Sequence, residues 1–343
     1  MTRLRLIAAG LALATLLVSA HPAPVAVNDA AITQDELPRK LSDFGFFNGP
    51  GTDNPHLALI AYSLRTPLFS DYSEKQRLIY VPEGNIAAVR GDSRVDFPVG
   101  SALIKTFGYG EGAAFRPIET RVLLRRAGSW EALPYVWNAD LSDADLKVSG
   151  TRVPVTVTKP SGEVKTISYA VPNKNQCKEC HSVRGAVVPI GPTFSNMDFE
   201  PAMMTRFRER TMWPRNLVRN DDPVWNDAST GSLDARARAY LMSNCGHCHN
   251  PEGSASNSGL FLNYGIFDNP DVATGIYKRP VAAGRGSGGH DFAIDPGAPD
   301  RSIMVHRMAS VEPGVAMPEV GRALVHDEGV ALIRAWIADM PAK

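Results

Sequence analysis

The chain has 343 residues, of which 44% are apolar and 21% charged, so it is long enough for two or three compact domains of an ordinary globular protein. Its 36 basic and 36 acidic residues balance, which argues against a nucleic-acid-binding protein. Residues 1–20 carry two arginines, an apolar run and a final Val-Ser-Ala, the layout of a secretory signal peptide. The alternative is a membrane anchor, but the apolar run over residues 6–18 is shorter than the roughly 20 residues that span a bilayer. We therefore expect cleavage, export and no transmembrane segment in the mature chain.

Two stretches follow the signal peptide. Residues 21–40 are polar and contain prolines, which predicts an extended lead-in. From residue 41 to residue 172, stretches such as "RLIYVP" and "FPVGSALIKTF" are rich in branched and aromatic residues, as strands are. The clearest hairpin is "TRVPVTVTKPSGEVKTISYAV", where valines alternate and Pro160-Ser161-Gly162 supplies the turn. We predict a β-rich sandwich or barrel over residues 41–172.

The remaining chain divides at about residue 230. Residues 173–230 hold a cysteine motif, a short predicted helix over 200–212 and a connector rich in Pro, Asn, Asp and Gly. In residues 231–343, "SLDARARAYLMSN" predicts a helix capped by Ser232. Near the end, "HDEGVALIRAWIADM" predicts a second amphipathic helix.

All four cysteines lie in two copies of one pattern, Cys-x-x-Cys-His. The two copies are Cys177, Cys180 and His181, and then Cys245, Cys248 and His249. Disulfides are the usual fate of four cysteines in an exported protein, and two Cys-x-x-Cys pairs can bind zinc, but neither explains the histidines. Covalent haem attachment does, because this spacing lets both sulfurs reach the two vinyl groups of one porphyrin while the histidine binds the iron. We expect two covalently attached haems c.

Residues 231–343 resemble a class I cytochrome c domain, with a helix leading into the second motif, a Met-Pro loop and a closing amphipathic helix. The resemblance implies a mainly α domain in which Met317 binds the iron opposite His249, with Met304 and Met308 as competitors. The expected fold class is therefore α+β: a β-rich domain, a haem-binding segment and a mainly α domain. For the first haem, Met197 is the candidate sixth ligand, and an open position or another side chain stays possible. The other side chains are Met203, Met204, Met212, His290 and His306.

The mature chain also resembles a family of diheme c-type cytochromes exported by Gram-negative bacteria. The stretches "LSDFGFF", "TPLFSDYSEKQRLIYVPEG", "FPVGSALIKTF", "VPNKNQCKECH" and "PIGP" carry that resemblance over most of residues 41–192. It implies a periplasmic location, two haems and redox partner proteins. Since a His/Met site fills both axial positions of the iron, we expect electron transfer rather than catalysis. The alternatives are a diheme peroxidase-like enzyme with one open iron position, and a binding module built on the β-rich domain.

Overall fold

The computed structural model describes residues 26–214, 217, 219–263, 272–281 and 284–342. The predicted signal peptide, residues 1–20, lies outside the described residues. Part of the lead-in that we expected to be extended forms helix α1, Asp29–Thr33, whose first turn is capped by the side chain of Asn28. Ile32 of α1 is fully buried, so this segment contributes to the core of the fold.

Eleven strands lie between residues 60 and 171 of the described chain. They are β1 Ile60–Ala61, β2 Ser63–Leu64, β3 Glu74–Tyr80, β4 Ala87–Val89, β5 Val95–Asp96, β6 Ala102–Tyr109, β7 Arg116–Arg125, β8 Trp130–Trp137, β9 Ala144–Leu146, β10 Thr151–Thr158 and β11 Val164–Val171. Six of them form an antiparallel sheet in the order β1-β3-β6-β7-β8-β9. This sheet ends at β1 and β9, so it does not close into the barrel that the sequence suggested.

Other parts of the chain cover both faces of the six-stranded sheet. Successive side chains of a strand point to opposite faces, and here they contribute to two separate apolar clusters. On one face, Leu78, Ile104 and Val122 pack with α1 and with the aromatic rings of the 41–47 segment. On the other face, Ile79 and its neighbours pack with shorter elements. That second layer consists of short strands and two short helices, rather than the complete second sheet of a sandwich.

Strands β10 and β11 form the hairpin that the sequence predicts. Their register pairs Val153 with Tyr169 and Val157 with Lys165. The turn is closed by backbone hydrogen bonds between Lys159 and Glu163 and between Gly162 and Lys159. Val157 and Tyr169 are buried against the main sheet at Phe107, so the hairpin packs on the inner strands β6, β7 and β8.

The first cysteine motif lies on helix α2, Lys174–His181. The elements that follow are β12 Ser182–Val183, β13 Ala186–Val187, β14 Met197–Asp198, α3 Pro201–Glu209 and β15 Thr211–Met212. Helix α3 confirms the short helix predicted over residues 200–212. Helix α2 and strand β13 pack on β8, which places the first motif against the six-stranded sheet.

The last part of the chain contains helices α4 Leu233–Asn244, α5 Ile303–Met308 and α6 Asp327–Ala338. The N-cap of α4 is Ser232, as predicted, and α4 packs on α6. The expectation of a mainly α cytochrome c domain is wrong, because α5 has only 6 residues and turns or short 3-10 segments fill most of the described chain between α4 and α6. Strand accounts for 26% of the structure and helix for 25%. Among the described residues, no helix is both long enough and apolar enough to cross a membrane.

Asp71 and Tyr72 join the first part of the chain to its last helix. The buried carboxylate of Asp71 accepts hydrogen bonds from the backbone N–H groups of Ala323 and Leu324, at 2.7 and 2.8 Å. The hydroxyl of Tyr72 donates to Glu328 at 2.9 Å. Asp71 and Tyr72 both have positive φ, 50° and 56°, a backbone region that residues with a side chain rarely adopt. We call this contact the Asp71 joint.

Candidate functional site

The first motif is positioned by the start of helix α2. Asn173 and Gln176 form a reciprocal capping box at that end, with hydrogen bonds of 2.9 and 3.0 Å. Cys177, one turn after the N-cap residue Asn173, is 8% exposed and belongs to the apolar cluster that includes Ile79, on the second face of the sheet. Cys180 lies almost one turn beyond it and is only partly buried. The two thiols of the first motif therefore occupy different surroundings.

His181 ends helix α2, and its ring is held in one orientation. Its Nδ1 lies 3.0 Å from the backbone oxygen of Val188, which can only accept, so Nδ1 carries the hydrogen. Burial lowers the pKa of His181 to about 4, so the ring is neutral at pH 7. A neutral imidazole whose Nδ1–H is bound to a carbonyl presents the lone pair of Nε2, the form in which histidine binds metals.

The second motif follows helix α4 directly and continues its turn. The backbone N–H of Cys245 bonds to Leu241 at 2.7 Å, and that of His249 bonds to Cys245 at 2.9 Å. Gly246 is required here, because a Cβ would lie 2.6 Å from the backbone oxygen of Leu262. That close approach brings the chain after the motif back over it, where the N–H of Leu262 bonds to His249 at 2.7 Å.

The ring of His249 resembles that of His181 in its surroundings. Its Nδ1 lies 3.3 Å from Oγ of Ser258. Burial lowers the pKa of His249, and a hydrogen bond with the backbone of Leu260 partly offsets that effect. Both motif histidines are thus partly buried and held by local hydrogen bonds, the arrangement that orients a metal-binding imidazole.

The fold brings the two motifs together. Ligand atoms of Cys180, His247 and Cys248 all lie within 4.8 Å of one another. A hydrogen bond between the two thiols raises the pKa of Cys180 and lowers that of Cys248. An ion pair between Arg184 and Glu252 links the same two segments, 68 residues apart in sequence.

The other two thiols do not join this group. All four cysteines are free, and Cys177 and Cys245 lie outside the set of mutually close ligand atoms within the described chain. A zinc site of four cysteines requires all four sulfurs around one ion. The structure instead gives each motif two thiols and one oriented imidazole, a donor set that fits one covalently attached haem per motif.

The candidate methionines lie in different places. Met317 is half-buried, its N–H bonds to Arg307 at 3.0 Å and its oxygen accepts from Arg322 at 2.8 Å. Burial raises the pKa of Cys245 to about 12, and the positive charge of Arg322 partly opposes that rise. Met197 is fully buried in the same apolar cluster as Cys177. Met197 thus shares its cluster with the first motif, whereas Met304 and Met308, rather than Met317, share the cluster that contains Cys245 of the second motif.

Sequence reasoning missed charged residues beneath the first motif. Glu119 of β7 is fully buried, and its carboxylate accepts from Arg121 at 2.9 and 2.5 Å and from Tyr169 at 2.6 Å. The charges of Arg121 and Lys105 contribute to the lowered pKa of His181. The signal was present as the single charged residue Lys105 in the strand "ALIKTFGY", and as Glu119 and Arg121 in the interior of the strand "RPIETRVLLR".

Comparisons of the chain with family models, with curated proteins and with solved structures found no match. The geometry of the two motifs is therefore the basis for assigning a function.

Proposed function

We propose that the chain is a periplasmic diheme c-type cytochrome that transfers electrons between redox partner proteins. The observation that carries the proposal is the meeting of the two Cys-x-x-Cys-His motifs at Cys180 and Cys248. Each of these sulfurs would link a different porphyrin, so the edges of the two haems would approach one another at this point. Two redox centres in contact pass electrons directly, which favours a carrier over two independent sites.

The residues that would hold the haems are already oriented for that task. Cys177 and Cys180 would form the thioether bonds of the first haem, and Cys245 and Cys248 those of the second. His181 and His249 would each bind an iron, with Met197 and Met317 as candidates for the opposite positions. When bound, each haem supplies a reversible one-electron change at its iron.

The protein's own contribution is to fix and desolvate these groups. Val188 keeps the proton of His181 on Nδ1, and Ser258 positions Nδ1 of His249. Burial keeps both rings neutral, so that neither must lose a proton before it binds iron. The apolar cluster around Cys177 keeps water away from the first site, and a dry, hydrogen-bonded surrounding is a main determinant of a haem's reduction potential.

A zinc centre that joins the two segments is the second candidate, and the Cys180, His247 and Cys248 group favours it. The two candidates make opposite demands on two residues. His247 is only a spacer in a haem motif but is a ligand in the zinc site. Cys177 is essential for a haem motif but lies outside the group of three ligands.

The test is a pyridine haemochrome assay with intact-mass measurement on protein produced with haem-maturation enzymes. We expect two haems in the wild type, one after Cys177→Ala with Cys180→Ala, and one after Cys245→Ala with Cys248→Ala. His247→Ala is the matched control and should keep both haems. A protein without haem that binds one zinc, and loses it in His247→Ala but not in Cys177→Ala, would establish the zinc centre instead.

A further inference from the structure

One face of the six-stranded sheet carries four adjacent cations. Lys75 and Arg77 lie on β3, Lys105 on β6 and Arg121 on β7, and all four point to the face that the first motif covers. The register pairs Arg77 with Lys105, and Lys105 with Arg121. Like charges placed directly opposite one another destabilise a sheet, so this row needs negative partners. We call these four residues the cationic row.

Only one member of the cationic row has a carboxylate partner. Arg121 is paired with Glu119, whereas the described part of the chain gives Lys75, Arg77 and Lys105 no ion pair. Nζ of Lys75 donates to a backbone oxygen, that of Ser73, and Nζ of Lys105 lies 4.7 Å from the ring centre of Phe107. Three basic side chains thus lack a carboxylate partner at a largely buried face, where burial lowers the pKa of Lys75 and Lys105.

Arg77 is the most informative of the three. It is only 7% exposed, and its Nη2 is buried without a hydrogen-bond partner among the described residues. Its Nη1 reaches only the backbone oxygen of Lys75, at 3.2 Å. An unpaired buried charge is costly, and a guanidinium with a free edge is shaped to bind a carboxylate.

The row extends from a cavity to the first motif. Lys75 and Arg77 line a cavity of about 660 Å³, together with Tyr62, Phe199 and Met203. Five carboxylates also line it, those of Asp53, Glu74, Glu111, Asp198 and Glu200, but among the described residues none forms an ion pair with Lys75 or Arg77. At the other end of the row, Lys105 and Arg121 are close enough to His181 to influence its pKa. A negatively charged group could therefore reach the row from the cavity or from a haem held by the first motif.

We propose that Lys75, Arg77 and Lys105 form a receptor for carboxylate groups beside the first Cys-x-x-Cys-His motif. The carboxylates have two possible sources, the two propionates of a haem bound to His181 or a small free dicarboxylate in the cavity. The first source rests on the proposed function, and the second does not. In either case the ligand would supply the carboxylate partner that Lys75, Arg77 and Lys105 lack among the described residues.

The experiment compares the full-length protein with Arg77→Met and Lys105→Met, which remove one charge each and keep most of the side-chain length. Lys147→Met, at an exposed lysine, is the control. Three quantities are measured on each protein: the haem count, the reduction potential of each haem, and the binding of succinate by calorimetry. Thermal unfolding shows whether the variants are folded, and removal of an uncompensated buried charge should not lower their stability.

If propionates occupy the receptor, both variants keep two haems. In each variant the ratio of reduced to oxidised form of one haem falls about tenfold, which corresponds to a reduction potential lower by about 59 mV. Succinate then does not bind. If a free dicarboxylate is the ligand, succinate binds the wild type at one site, binds each variant at least tenfold more weakly, and leaves the potentials unchanged. Lys147→Met should match the wild type in both cases. The proposal is overturned if neither variant changes a potential or the binding of succinate. Absence of haem from the wild type would refute the proposed function, while the succinate measurement would still test the receptor.

Discussion

Glu119→Gln should destabilise the protein strongly, because among the described residues Glu119 is the carboxylate that forms an ion pair with the cationic row, at Arg121. The side chain is fully buried, and its two oxygens accept three hydrogen bonds from Arg121 and Tyr169. Glutamine has nearly the same volume but only one oxygen. Its amide NH₂ group must face a donor, so the substitution removes a negative charge and at least one hydrogen bond without opening a cavity.

The expected loss is about 3–5 kcal/mol in the free energy of unfolding at pH 7, the cost of leaving one member of a buried ion pair alone. A smaller figure would apply to an exposed pair, where the contribution is near zero to 1 kcal/mol. Removing both members should restore stability, because the uncompensated charge disappears. Glu119→Gln with Arg121→Met should therefore be more stable than Glu119→Gln alone.

The assay is urea unfolding followed by tryptophan fluorescence, since Trp130 and Trp137 lie on β8 next to β7. Glu163→Gln, in the exposed turn between β10 and β11, is the control and should leave the midpoint unchanged. A loss below about 1 kcal/mol in Glu119→Gln would refute the reasoning. So would a double variant that is less stable than Glu119→Gln alone.

Three further expectations test other parts of the structure. Gly329→Ala should lower the midpoint of urea unfolding, because its Cβ would lie 2.2 Å from the hydroxyl of Tyr240. The crowding costs about 1–3 kcal/mol, which exceeds the gain in helix propensity. Gly128→Ala is the control and should leave the midpoint unchanged, because its Cβ meets open space. Burial lowers the pKa of Lys75 from 10.5 to about 7, so between pH 7 and 10.5 the unfolded chain binds more protons than the ligand-free folded chain, and the free energy of unfolding should rise with pH. Lys75→Met should abolish this rise, which is at most about 5 kcal/mol and is measured by urea unfolding at several pH values. If the variant keeps the same dependence of stability on pH, Lys75 is not buried as described. Met317→Ala should keep two haems but shift one toward high spin in its absorption spectrum, whereas a merely packing methionine would leave the spectrum unaltered.

Local patterns in the sequence predicted local structure well. The hairpin β10–β11 follows from alternating valines and a Pro-Ser-Gly turn, and α4 begins at the cap that Ser232 provides. The amphipathic helix predicted near the end of the chain is α6, in which Ile333, Trp336 and Ile337 are buried and Val330 is partly buried. These features depend on neighbours within one or two turns, so a single segment contains the information.

Features that depend on distant contacts were not predictable in the same way. The approach of Cys180 to Cys248 results from the packing of two segments on the sheet, and neither segment alone encodes it. The cationic row was hidden because Lys105 alternates with apolar residues, a pattern that usually marks a solvent-facing side of a strand. The mainly α domain failed because two real helices, α4 and α6, were taken to represent a region that is mostly turns.

The Asp71 joint has a consequence for the order in which the molecule is completed. A chain emerges from the ribosome with its N-terminus first, so Asp71 and Tyr72 appear long before their partners at residues 323–328. Until those last residues arrive, the buried carboxylate of Asp71 lacks both of its N–H donors and the final helix cannot dock. The two cysteine motifs are both synthesised within that interval. An exported chain crosses the membrane in the same order, so chemistry that must reach the thiols separately has its opportunity before the joint closes.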